Sequence, residues 1–431
     1  MVYFALRRQN FAIVALLLLS TVQARLLLIS FDGFRPDYLG NAQTPNFDQF
    51  VSEGVEAEYV VPAFITKTMP CHHTIITGLH PESHGIVGNT MYDPVLDDTF
   101  WFTTKDTEWW DNGGEPLWVT AKKQGLTTAA HFWPGGETAT NGGYKPDISP
   151  PYNGSEPFRQ RFDTVVEWIA ERDIDFTCVY ITEPDAVGHA YGPDSQEVRE
   201  ETEEVDDILG YLIGNLKQRK VYDTTDIIVM TDHGMVEVSR DRKIDLYDYV
   251  DPNDVERITE TGAIMSILPA EDKTMKVYES LKGKHPNMSV YRKDEIPGRY
   301  HYANHRRIMP ILVVCDEGWE ILANFSAQSE SRMDLAATHG YDNSLASMRS
   351  FFVARGPSFR TSYKAEPFDM VDVYSLMCHL LRLEPAPNNG SFANVKDILI
   401  DFTSFSPSSR SSFFASGLTS TISILILNLL A

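Results

Sequence analysis

The sequence predicts an α/β fold with a mostly parallel central sheet flanked by helices. Apolar runs rich in β-branched residues alternate with amphipathic helical stretches along most of the 431 residues, which is the order that βαβ units produce. A hydrophobic content of 43% is enough to bury a large core. No internal repeat or long low-complexity linker precedes residue 403, so we expect one main domain over residues 25–402.

The elements of this fold can be placed along the chain. The clearest helix is Gln196–Lys217, in which valines and leucines fall on one face and the acidic run 200–204 on the other. A further helix, Val371–Leu383, closes the globular part. Residues from about 240 to 310 break the alternation with loops and short strands, so we expect an inserted, loop-rich subdomain there. Six apolar runs are the candidate strands: Leu26–Phe31, Thr127–Phe132, Phe176–Ile181, Ile227–Met230, Ile311–Val314 and Phe351–Val353.

Both ends of the chain are apolar. Residues 1–24 place Arg7 and Arg8 before an apolar run and a small-residue site, the pattern of a secretory signal peptide cleaved after Ala24. Residues 403–431 form a Ser-rich spacer and a terminal hydrophobic run, which is typical of a glycosylphosphatidylinositol attachment signal, with a single C-terminal span as the alternative. These ends predict transport through the secretory pathway to the outer face of the plasma membrane.

Charge and composition limit the kinds of molecule that this protein is expected to bind and the covalent modifications that it is expected to carry. A formal charge of −23 repels phosphate backbones, and no basic stripe relieves it, so nucleic acid is not an expected partner. The four cysteines are widely spaced and do not form a disulfide scaffold; their pairing and the oligomeric state stay open. Asn-x-Ser sequons agree with secretion and predict glycosylation at Asn153, Asn287, Asn324 and Asn389.

Three of the apolar runs end in an aspartate. They are Asp32 in LLLISFD, Asp185 in CVYITEPD and Asp232 in IIVMTD. In a parallel sheet the strand ends gather along one edge, where ligands bind in open α/β folds. Any one of these aspartates could be a helix cap or a turn residue. Three carboxylates on one rim, however, repel one another unless a cation lies between them, so the pattern indicates a metal site.

Three histidines accompany these aspartates in glycine-containing turns. Mixed imidazole and carboxylate ligation suits zinc, which keeps an open position for chemistry. Two zinc ions about 3.5–4 Å apart can hold an attacking oxygen on one ion and a phosphoryl oxygen between them. The six candidate ligands, enough for two ions of three ligands each, are Asp32, Asp185, His189, Asp232, His233 and His339.

The stretch TKTMPCHH offers a nucleophile for such a site. A threonine hydroxyl is too weak an acid to attack at neutral pH unless metal coordination lowers its pKa. The residues that follow suggest a helix, whose N-terminal dipole favours an anionic oxygen and a phosphate beside it. Alternatively Thr66 or Thr68 only caps this helix, and composition does not choose between the two. His72 and His73 lie inside the helix, and we interpret them as structural residues or as partners of the metal ligands.

Five ordered motifs resemble those of the ectonucleotide pyrophosphatase/phosphodiesterase family, which belongs to the alkaline phosphatase superfamily. The similarity runs from about residue 26 to 400, and the stretches HGYDNSLASM, ARGPSF and PNNGSF look most like family members 4 and 5. The resemblance implies an alkaline-phosphatase-like fold and makes residues 25–402 a phosphodiesterase catalytic domain. The motifs are FDGFRPDYL, TKTMPCHHTIITGLHPESHGIVGN, YITEPDAVGHAYGP, TDHGM and HGYDN.

The resemblance also implies roles for individual residues. In the family the nucleophile is the threonine after the lysine, which is Thr68 here. The implied reaction is in-line attack by Thr68 on a nucleotide such as ATP or a dinucleoside polyphosphate. It gives a threonyl-nucleotide intermediate that is hydrolysed at the zinc site to a nucleoside 5′-monophosphate. The substrate-binding residues are Lys67, Met69, Asn89, which contacts the phosphoryl oxygen, and Tyr152. One zinc is held by Asp185, His189 and His339, and the other by Asp32, Asp232, His233 and the Thr68 oxygen.

Two positions depart from the family pattern TKTFPNH. Met69 stands where the family has the phenylalanine that forms one wall of the adenine slot, and Cys71 stands where it has asparagine. Methionine keeps an apolar, polarizable wall but loses ring stacking against the base. The opposite wall of the slot in the family matches Tyr152. Base affinity is therefore expected to be weaker or differently selective.

Two alternatives use the same sequence features. One is a choline-phosphodiester or lysophospholipid hydrolase with the same two-zinc site. The relatives that prefer choline carry serine at the nucleophile position, so Thr68 counts against it. The other is a non-enzymatic cell-surface recognition protein, which would require a missing ligand or nucleophile. None of the matched positions is missing.

Overall fold

The computed structural model describes residues 25–323 and 335–400 of the chain. The expected signal peptide (1–24), the sequon at Asn324 and the expected C-terminal spacer and anchor (403–431) lie outside these residues. Within the two described ranges, no helix has both the length and the apolar character that crossing a bilayer requires.

The helices and strands alternate in the order that the sequence predicts for most of the chain. The α-helices are α1 (Tyr38–Asn41), α2 (Pro45–Ser52), α3 (Thr68–Thr77), α4 (Pro81–His84), α5 (Thr107–Trp110), α6 (Leu117–Lys123), α7 (Phe158–Glu171), α8 (Asp185–Tyr191), α9 (Gln196–Gln218), α10 (Thr274–Leu281), α11 (Asp372–Leu380) and α12 (Phe392–Val395). The strands are β1 (Arg25–Phe31), β2 (Val55–Ala57), β3 (Val60–Val61), β4 (Met91–Asp93), β5 (Asp98–Phe100), β6 (Thr128–His131), β7 (Phe176–Ile181), β8 (Thr225–Met230), β9 (Val236–Glu237), β10 (Lys243–Asp245), β11 (Val255–Ile258), β12 (Ile264–Pro269), β13 (Met288–Arg292), β14 (Ile311–Cys315), β15 (Glu320–Leu322), β16 (Ala337–Thr338), β17 (Phe352–Arg355), β18 (Tyr363–Ala365) and β19 (Phe368–Asp369).

A seven-stranded sheet in the order β18-β2-β17-β8-β1-β7-β6 forms the centre of the fold. Its pairs β8–β1, β1–β7, β7–β6 and β18–β2 are parallel, and β17 runs antiparallel to both of its neighbours. The mostly parallel α/β sheet is therefore confirmed. Because β8, β1 and β7 are adjacent and parallel, their carboxyl ends lie side by side.

The central sheet is covered on both faces. Strand β1 is buried along nearly its whole length and sends Leu26 and Leu28 into one core and Leu27 and Ile29 into the other. Helices α3, α6 and α11 contribute to the first core, and α7 and α9 to the second. Because both faces of β1 are buried, its sequence LLLIS is a nearly continuous apolar run rather than an alternation of apolar and polar residues.

A second sheet has the order β11-β12-β14-β13 and is antiparallel throughout. Its strands β11, β12 and β13 lie within the region in which we expected an insertion, and the sheet packs with α10 around an apolar core. The predicted strand at Ile311–Val314 is confirmed as β14, and it belongs to this second sheet rather than to the central one. A buried apolar run has the same appearance in either sheet, so periodicity could not assign it.

Candidate active site at the carboxyl ends of the strands

The three aspartates meet beyond the ends of β1, β7 and β8. Backbone hydrogen bonds join these ends: the Asp32 N–H donates to the Ile181 carbonyl at 2.9 Å, and the Asp185 N–H donates to the Asp32 carbonyl at 3.1 Å. Gly33 has a φ of +66°, and a Cβ there would lie 2.8 Å from the Asp185 side chain. Glycine therefore allows Asp185 to approach Asp32 closely.

The three histidines face these carboxylates through Nε2. The Nδ1 of His189 lies 2.8 Å from the Ala337 carbonyl, that of His233 3.0 Å from the Gly234 carbonyl, and that of His339 2.9 Å from the Thr66 carbonyl. A carbonyl only accepts, so each Nδ1 is the protonated donor, and in the neutral ring each Nε2 keeps a lone pair. This arrangement fixes the tautomer and orientation that a metal ligand needs.

The Nε2 atoms lie beside carboxylate oxygens. The Nε2 of His189 is 3.4 Å from Asp185, that of His339 is 3.7 Å from Asp185, and that of His233 is 3.0 Å from Asp232 and 3.4 Å from Asp32. One carboxylate oxygen of each aspartate is buried without a hydrogen-bond partner among the described residues. Lone pairs and bare carboxylate oxygens that face one another repel, so this donor set fits a bound cation.

The electrostatics of the buried cluster support the same conclusion. Burial raises the pKa of Asp32 well above its usual value, and the charges of Asp232 and Asp185 raise it further. Burial also opposes ionisation of Asp232, but His233 and His72 outweigh it and lower the pKa of that carboxyl. The protein alone thus compensates only part of the negative charge. A divalent cation would stabilise the ionised form of all three carboxylates.

Two overlapping donor groups can be recognised. The ligand atoms of Asp185, His189 and His339 all lie within 4.8 Å of one another, as expected for the first ion. The second compact group is Asp32, Asp185 and His233 rather than Asp32, Asp232 and His233. Asp232 adjoins it through its 3.0 Å approach to His233. Asp185 therefore lies between the two groups, which the linear sequence could not indicate.

The two threonines of TKTMPCHH have different surroundings. The Thr66 hydroxyl donates to the Tyr341 carbonyl at 3.0 Å and accepts from the Gly340 N–H at 3.0 Å, so it supports the scaffold. Thr68 is the first residue of α3, and its Oγ1 lies 3.4 Å from His233 Nε2. Only Thr68 of this pair has its hydroxyl at the metal-ligand cluster.

Lys67 and Asn89 flank this threonine. Gly340 has a φ of +113°, and a Cβ at this glycine would lie 2.5 Å from Lys67 Cε, so the buried lysine chain passes directly over it. Asn89 accepts a hydrogen bond from the Met69 N–H at 2.9 Å through Oδ1. Because Oδ1 is engaged, the amide group of Asn89 is turned so that its Nδ2 can donate elsewhere.

Met69 and Tyr152 line the same cavity, which has a volume of about 280 Å³. Aromatic residues supply most of its apolar wall, and Lys105, Glu137 and three threonines supply its polar part. Such a mixture of aromatic surface with a few polar groups is typical of a pocket for a planar organic ligand. The aromatic lining residues are Phe102, Trp110, Phe132, Trp133, Tyr152 and Tyr180.

Comparison with known proteins decides the family. Residues 26–342 match the family model "Type I phosphodiesterase / nucleotide pyrophosphatase". The chain belongs to this family. As a family member it is a hydrolase that acts on phosphodiester and phosphoanhydride bonds.

Several members of the phosphodiesterase family are similar over nearly the whole chain. The bis(5′-adenosyl)-triphosphatase enpp4 of Xenopus laevis is 42% identical over 378 residues, covering 87% of this chain and 81% of the relative. Human ectonucleotide pyrophosphatase/phosphodiesterase family member 5 is 41% identical over 381 residues, covering 88% and 78%. Human family member 7 is 38% identical over 408 residues, covering 92% and 88%.

Solved structures of the phosphodiesterase family show the same fold. Murine ectonucleotide pyrophosphatase/phosphodiesterase 5 superposes with a TM-score of 0.84 at 42% identity, covering 87% of this chain and 100% of the other. An inactive threonine-to-alanine variant of that protein in complex with AMP gives a TM-score of 0.84 at 41% identity, covering 88% and 100%. The alkaline-phosphatase-like fold expected from the motifs is consistent with these matches.

Sequence reasoning missed two residues of this phosphodiesterase site. Tyr180, inside buried strand β7, donates from its hydroxyl to Asp32 Oδ2 at 2.5 Å and also lines the cavity. Ser30, inside β1, lies with its Oγ 2.9 Å from His72 Nε2. Alternate positions of a fully buried strand all look like core in sequence, so no pattern distinguished either residue.

The other residues of TKTMPCHH have structural surroundings. His72 Nδ1 lies 2.8 Å from the Thr68 carbonyl oxygen and 3.4 Å from Asp232 Oδ2, so His72 contacts one of the candidate ligands without being one itself. His73 packs edge-to-face on Trp110. Cys71 is buried with its Sγ 3.7 Å from the Ala63 and Ile65 carbonyls. All four cysteines are buried free thiols.

Proposed function

We propose that this chain is an extracellular zinc-dependent nucleotide pyrophosphatase/phosphodiesterase that works through a covalent threonyl intermediate. The observation that carries this proposal is the position of the Thr68 hydroxyl. It stands at the first turn of a ten-residue helix and 3.4 Å from a histidine of a six-residue donor cluster. Helix dipole and cation together favour an alkoxide at this position.

Two zinc ions fit the donor set. Asp185, His189 and His339 would hold one ion. The other would be held by Asp32, Asp232 and His233 with the Thr68 oxygen, and Asp185 lies between the two groups. When bound, zinc supplies Lewis acidity toward the phosphoryl group and lowers the pKa of a coordinated hydroxyl. Three imidazoles and three carboxylates are a borderline-soft set that suits zinc better than calcium or magnesium.

The reaction proceeds in two displacements at phosphorus. In the first, the Thr68 oxygen forms a bond to the α-phosphorus, the bond to the bridging oxygen breaks, and the leaving group departs with that electron pair. In the second, a water oxygen forms a bond to the same phosphorus on the side opposite Thr68. The bond from phosphorus to the Thr68 oxygen breaks, that oxygen keeps the electron pair and takes a proton from the water, and the nucleoside 5′-monophosphate is released. Asn89 contributes a hydrogen bond from Nδ2 to a non-bridging oxygen, and Lys67 adds positive charge next to the site.

The cavity beside Thr68 supports a nucleotide substrate. Met69 directly follows the nucleophile and Tyr152 lines the same space, so a base bound there would place its α-phosphate toward the metal-ligand cluster. A homologous structure contains AMP. ATP and dinucleoside polyphosphates carry a bond that this arrangement would cleave, and each gives a nucleoside 5′-monophosphate.

The setting of the domain is also part of the proposal. We infer removal of residues 1–24 as a signal peptide, attachment to the outer membrane face through a lipid anchor or a single span within 403–431, and glycans at the four sequons. The antiparallel second sheet supports an inserted subdomain that continues past residue 310 to Cys315.

The threonine assignment can be tested with a pair of variants. Thr68→Ala should abolish release of AMP from diadenosine triphosphate and from ATP, while the zinc content stays near two per chain. Thr68→Ser keeps a hydroxyl and should retain measurable turnover. Acid quenching with labelled ATP should leave label on the peptide that contains residue 68. Full turnover by Thr68→Ala, or no zinc in the active wild type, would refute the mechanism. Cleavage of glycerophosphocholine alone from a mixed panel would refute the nucleotide assignment.

A further inference from the structure

A glycosylation sequon lies next to a residue that lines the cavity. Asn153-Gly154-Ser155 directly follows Tyr152, and Asn153 is exposed. The Asn153 Oδ1 accepts from the Ser155 N–H at 3.2 Å and from the Ser155 hydroxyl at 2.7 Å, and the Glu156 N–H donates to the Asn153 carbonyl at 3.2 Å. The sequon is therefore a tight turn with a defined direction rather than an open loop.

This turn is packed against the wall of the cavity. A Cβ at Gly154 would lie 3.3 Å from the Tyr152 hydroxyl oxygen and 3.4 Å from its Cε1, so the phenol lies on the backbone of the turn. Tyr152 is held from two further sides. Its N–H donates to Glu137 at 3.0 Å, and its ring meets the edge of Phe132 with centroids 5.2 Å apart. A group attached to Asn153 would thus start at a fixed position beside the cavity mouth.

The other described sequons lie elsewhere. Asn287 precedes β13 of the second sheet and donates from Nδ2 to Asp316 at 3.3 Å. Asn389 accepts from the His80 N–H at 3.0 Å in a loop that follows α11. Neither is next to a residue that lines the cavity with Met69 and Tyr152. Of these three described sequons, only the one at Asn153 directly follows such a residue.

We propose that Asn153 carries an N-linked oligosaccharide that limits the size of the substrate, admitting small nucleotides and excluding the ends of nucleic-acid chains. The proposal rests on the proposed function, because it takes Tyr152 as a wall of the nucleotide site. In the modification, Asn153 Nδ2 forms a bond to C1 of a lipid-pyrophosphate-linked oligosaccharide. The bond from C1 to the phosphate oxygen breaks, the lipid pyrophosphate leaves with the electron pair, and Nδ2 loses a proton.

The size limit differs from electrostatic exclusion. The formal charge of −23 also disfavours polyanions, but that repulsion between exposed charges is screened at high salt. A steric barrier at the cavity mouth does not respond to salt. Measurements at about 0.5 M salt, where the Debye length falls to about 4 Å, therefore isolate the contribution of the oligosaccharide.

The experiment uses the full chain secreted from a eukaryotic host. Peptide mass spectrometry reports occupancy of Asn153. Turnover is measured at high salt on a p-nitrophenyl ester of thymidine 5′-phosphate and on a single-stranded oligonucleotide with a free 3′ end. Asn153→Gln and Ser155→Ala each destroy the sequon, Ser155→Thr keeps it, and Asn287→Gln removes a sequon that lies elsewhere. Amidase treatment removes the oligosaccharide from the wild type without a substitution.

The expected result is specific to the sequon. Asn153→Gln, Ser155→Ala and the amidase-treated protein should cleave the oligonucleotide at least fivefold faster than the wild type, with the small ester changed less than twofold. Ser155→Thr and Asn287→Gln should behave as the wild type. An unmodified Asn153, or oligonucleotide turnover that is unchanged in all three sugar-free proteins, would overturn the size limit. Absence of turnover of the small ester by the wild type would instead overturn the proposed function, and the size limit with it.

Discussion

Replacing Tyr180 with phenylalanine should weaken metal binding without disturbing the fold. The Tyr180 hydroxyl donates to Asp32 Oδ2 at 2.5 Å, and Oδ1 of the same carboxylate faces His233 Nε2 at 3.4 Å. The hydroxyl therefore fixes one oxygen of Asp32 so that the other is directed at the ligand cluster. Tyr180→Phe removes one atom from a buried position and leaves Asp32 Oδ2 without that partner.

The size of the effect follows from the kind of bond that is lost. A hydrogen bond to a charged group contributes about 1.5–3 kcal/mol. With 1.4 kcal/mol per tenfold change, this range corresponds to a loss of about 10- to 150-fold in metal affinity. Outer partners of metal ligands generally contribute about 10- to 100-fold, which agrees.

The assay is a competition titration of metal-free protein with zinc against a chromophoric chelator, followed by turnover at saturating zinc. Tyr38→Phe is a matched control, because the Tyr38 hydroxyl is also buried but has no hydrogen-bond partner among the described residues. We expect Tyr38→Phe to bind zinc like the wild type. The turnover of Tyr180→Phe should recover in large part when zinc is in excess.

Two outcomes would refute this reasoning. If Tyr180→Phe and Tyr38→Phe bind zinc equally well, the hydroxyl does not orient Asp32. If Tyr180→Phe loses affinity together with a fall of several degrees in melting temperature that Tyr38→Phe does not show, the residue supports the core rather than the ligand.

Three other substitutions test the site and its scaffold. Met69→Phe should tighten AMP binding to the Thr68→Ala protein by about 1 kcal/mol, or about fivefold, through ring stacking; an unchanged dissociation constant in calorimetry would place the base elsewhere. Burial, then Arg307, lowers the pKa of His73 to about 3. Below pH 6.5 the histidine is protonated in the unfolded chain but not in the folded chain. The free energy of unfolding therefore decreases by about 1.4 kcal/mol for each unit by which the pH is lowered. Urea unfolding of metal-free protein should show His73→Phe losing about 2 kcal/mol less than the wild type between pH 7 and 5; equal losses would contradict this. Glu320→Ala leaves Lys243, a buried partner at 3.0 Å, uncompensated and should cost about 3–5 kcal/mol. A melting temperature within a degree of the wild type would exclude this role.

The parts of the site that were predictable are those tied to strand ends. Asp32 and Asp232 follow β1 and β8 within two residues, and parallel neighbours must bring such residues to one edge. His189 follows Asp185 by four positions, and the structure places both on one face of helix α8, where the sequence analysis expected a glycine-containing turn. Strand order was therefore sufficient for the aspartates, whereas the helix that carries His189 was not predicted.

The parts that were not predictable depend on side-chain direction in three dimensions. The central position of Asp185 between the donor groups requires the close approach that Gly33 permits, and no spacing encodes it. The cavity walls come from irregular segments around Phe102, Phe132 and Tyr152, which have no periodicity. Tyr180 lies in a strand that is buried on both faces, where a functional tyrosine and a core tyrosine look alike.

Under the proposed function, base selection and phosphoryl chemistry could vary independently, because the first two residues of α3 point in different directions. Thr68 and Met69 are consecutive in an α-helix, so their side chains diverge by about 100° around its axis. One reaches the ligand cluster and the other lines the cavity. The backbone between them is fixed by the Met69 N–H bond to Asn89, so the side chain at position 69 can change without moving the Thr68 oxygen. Under the proposed function, a change at position 69 would therefore alter which base binds, while the Thr68 hydroxyl and the six candidate ligands keep the same geometry.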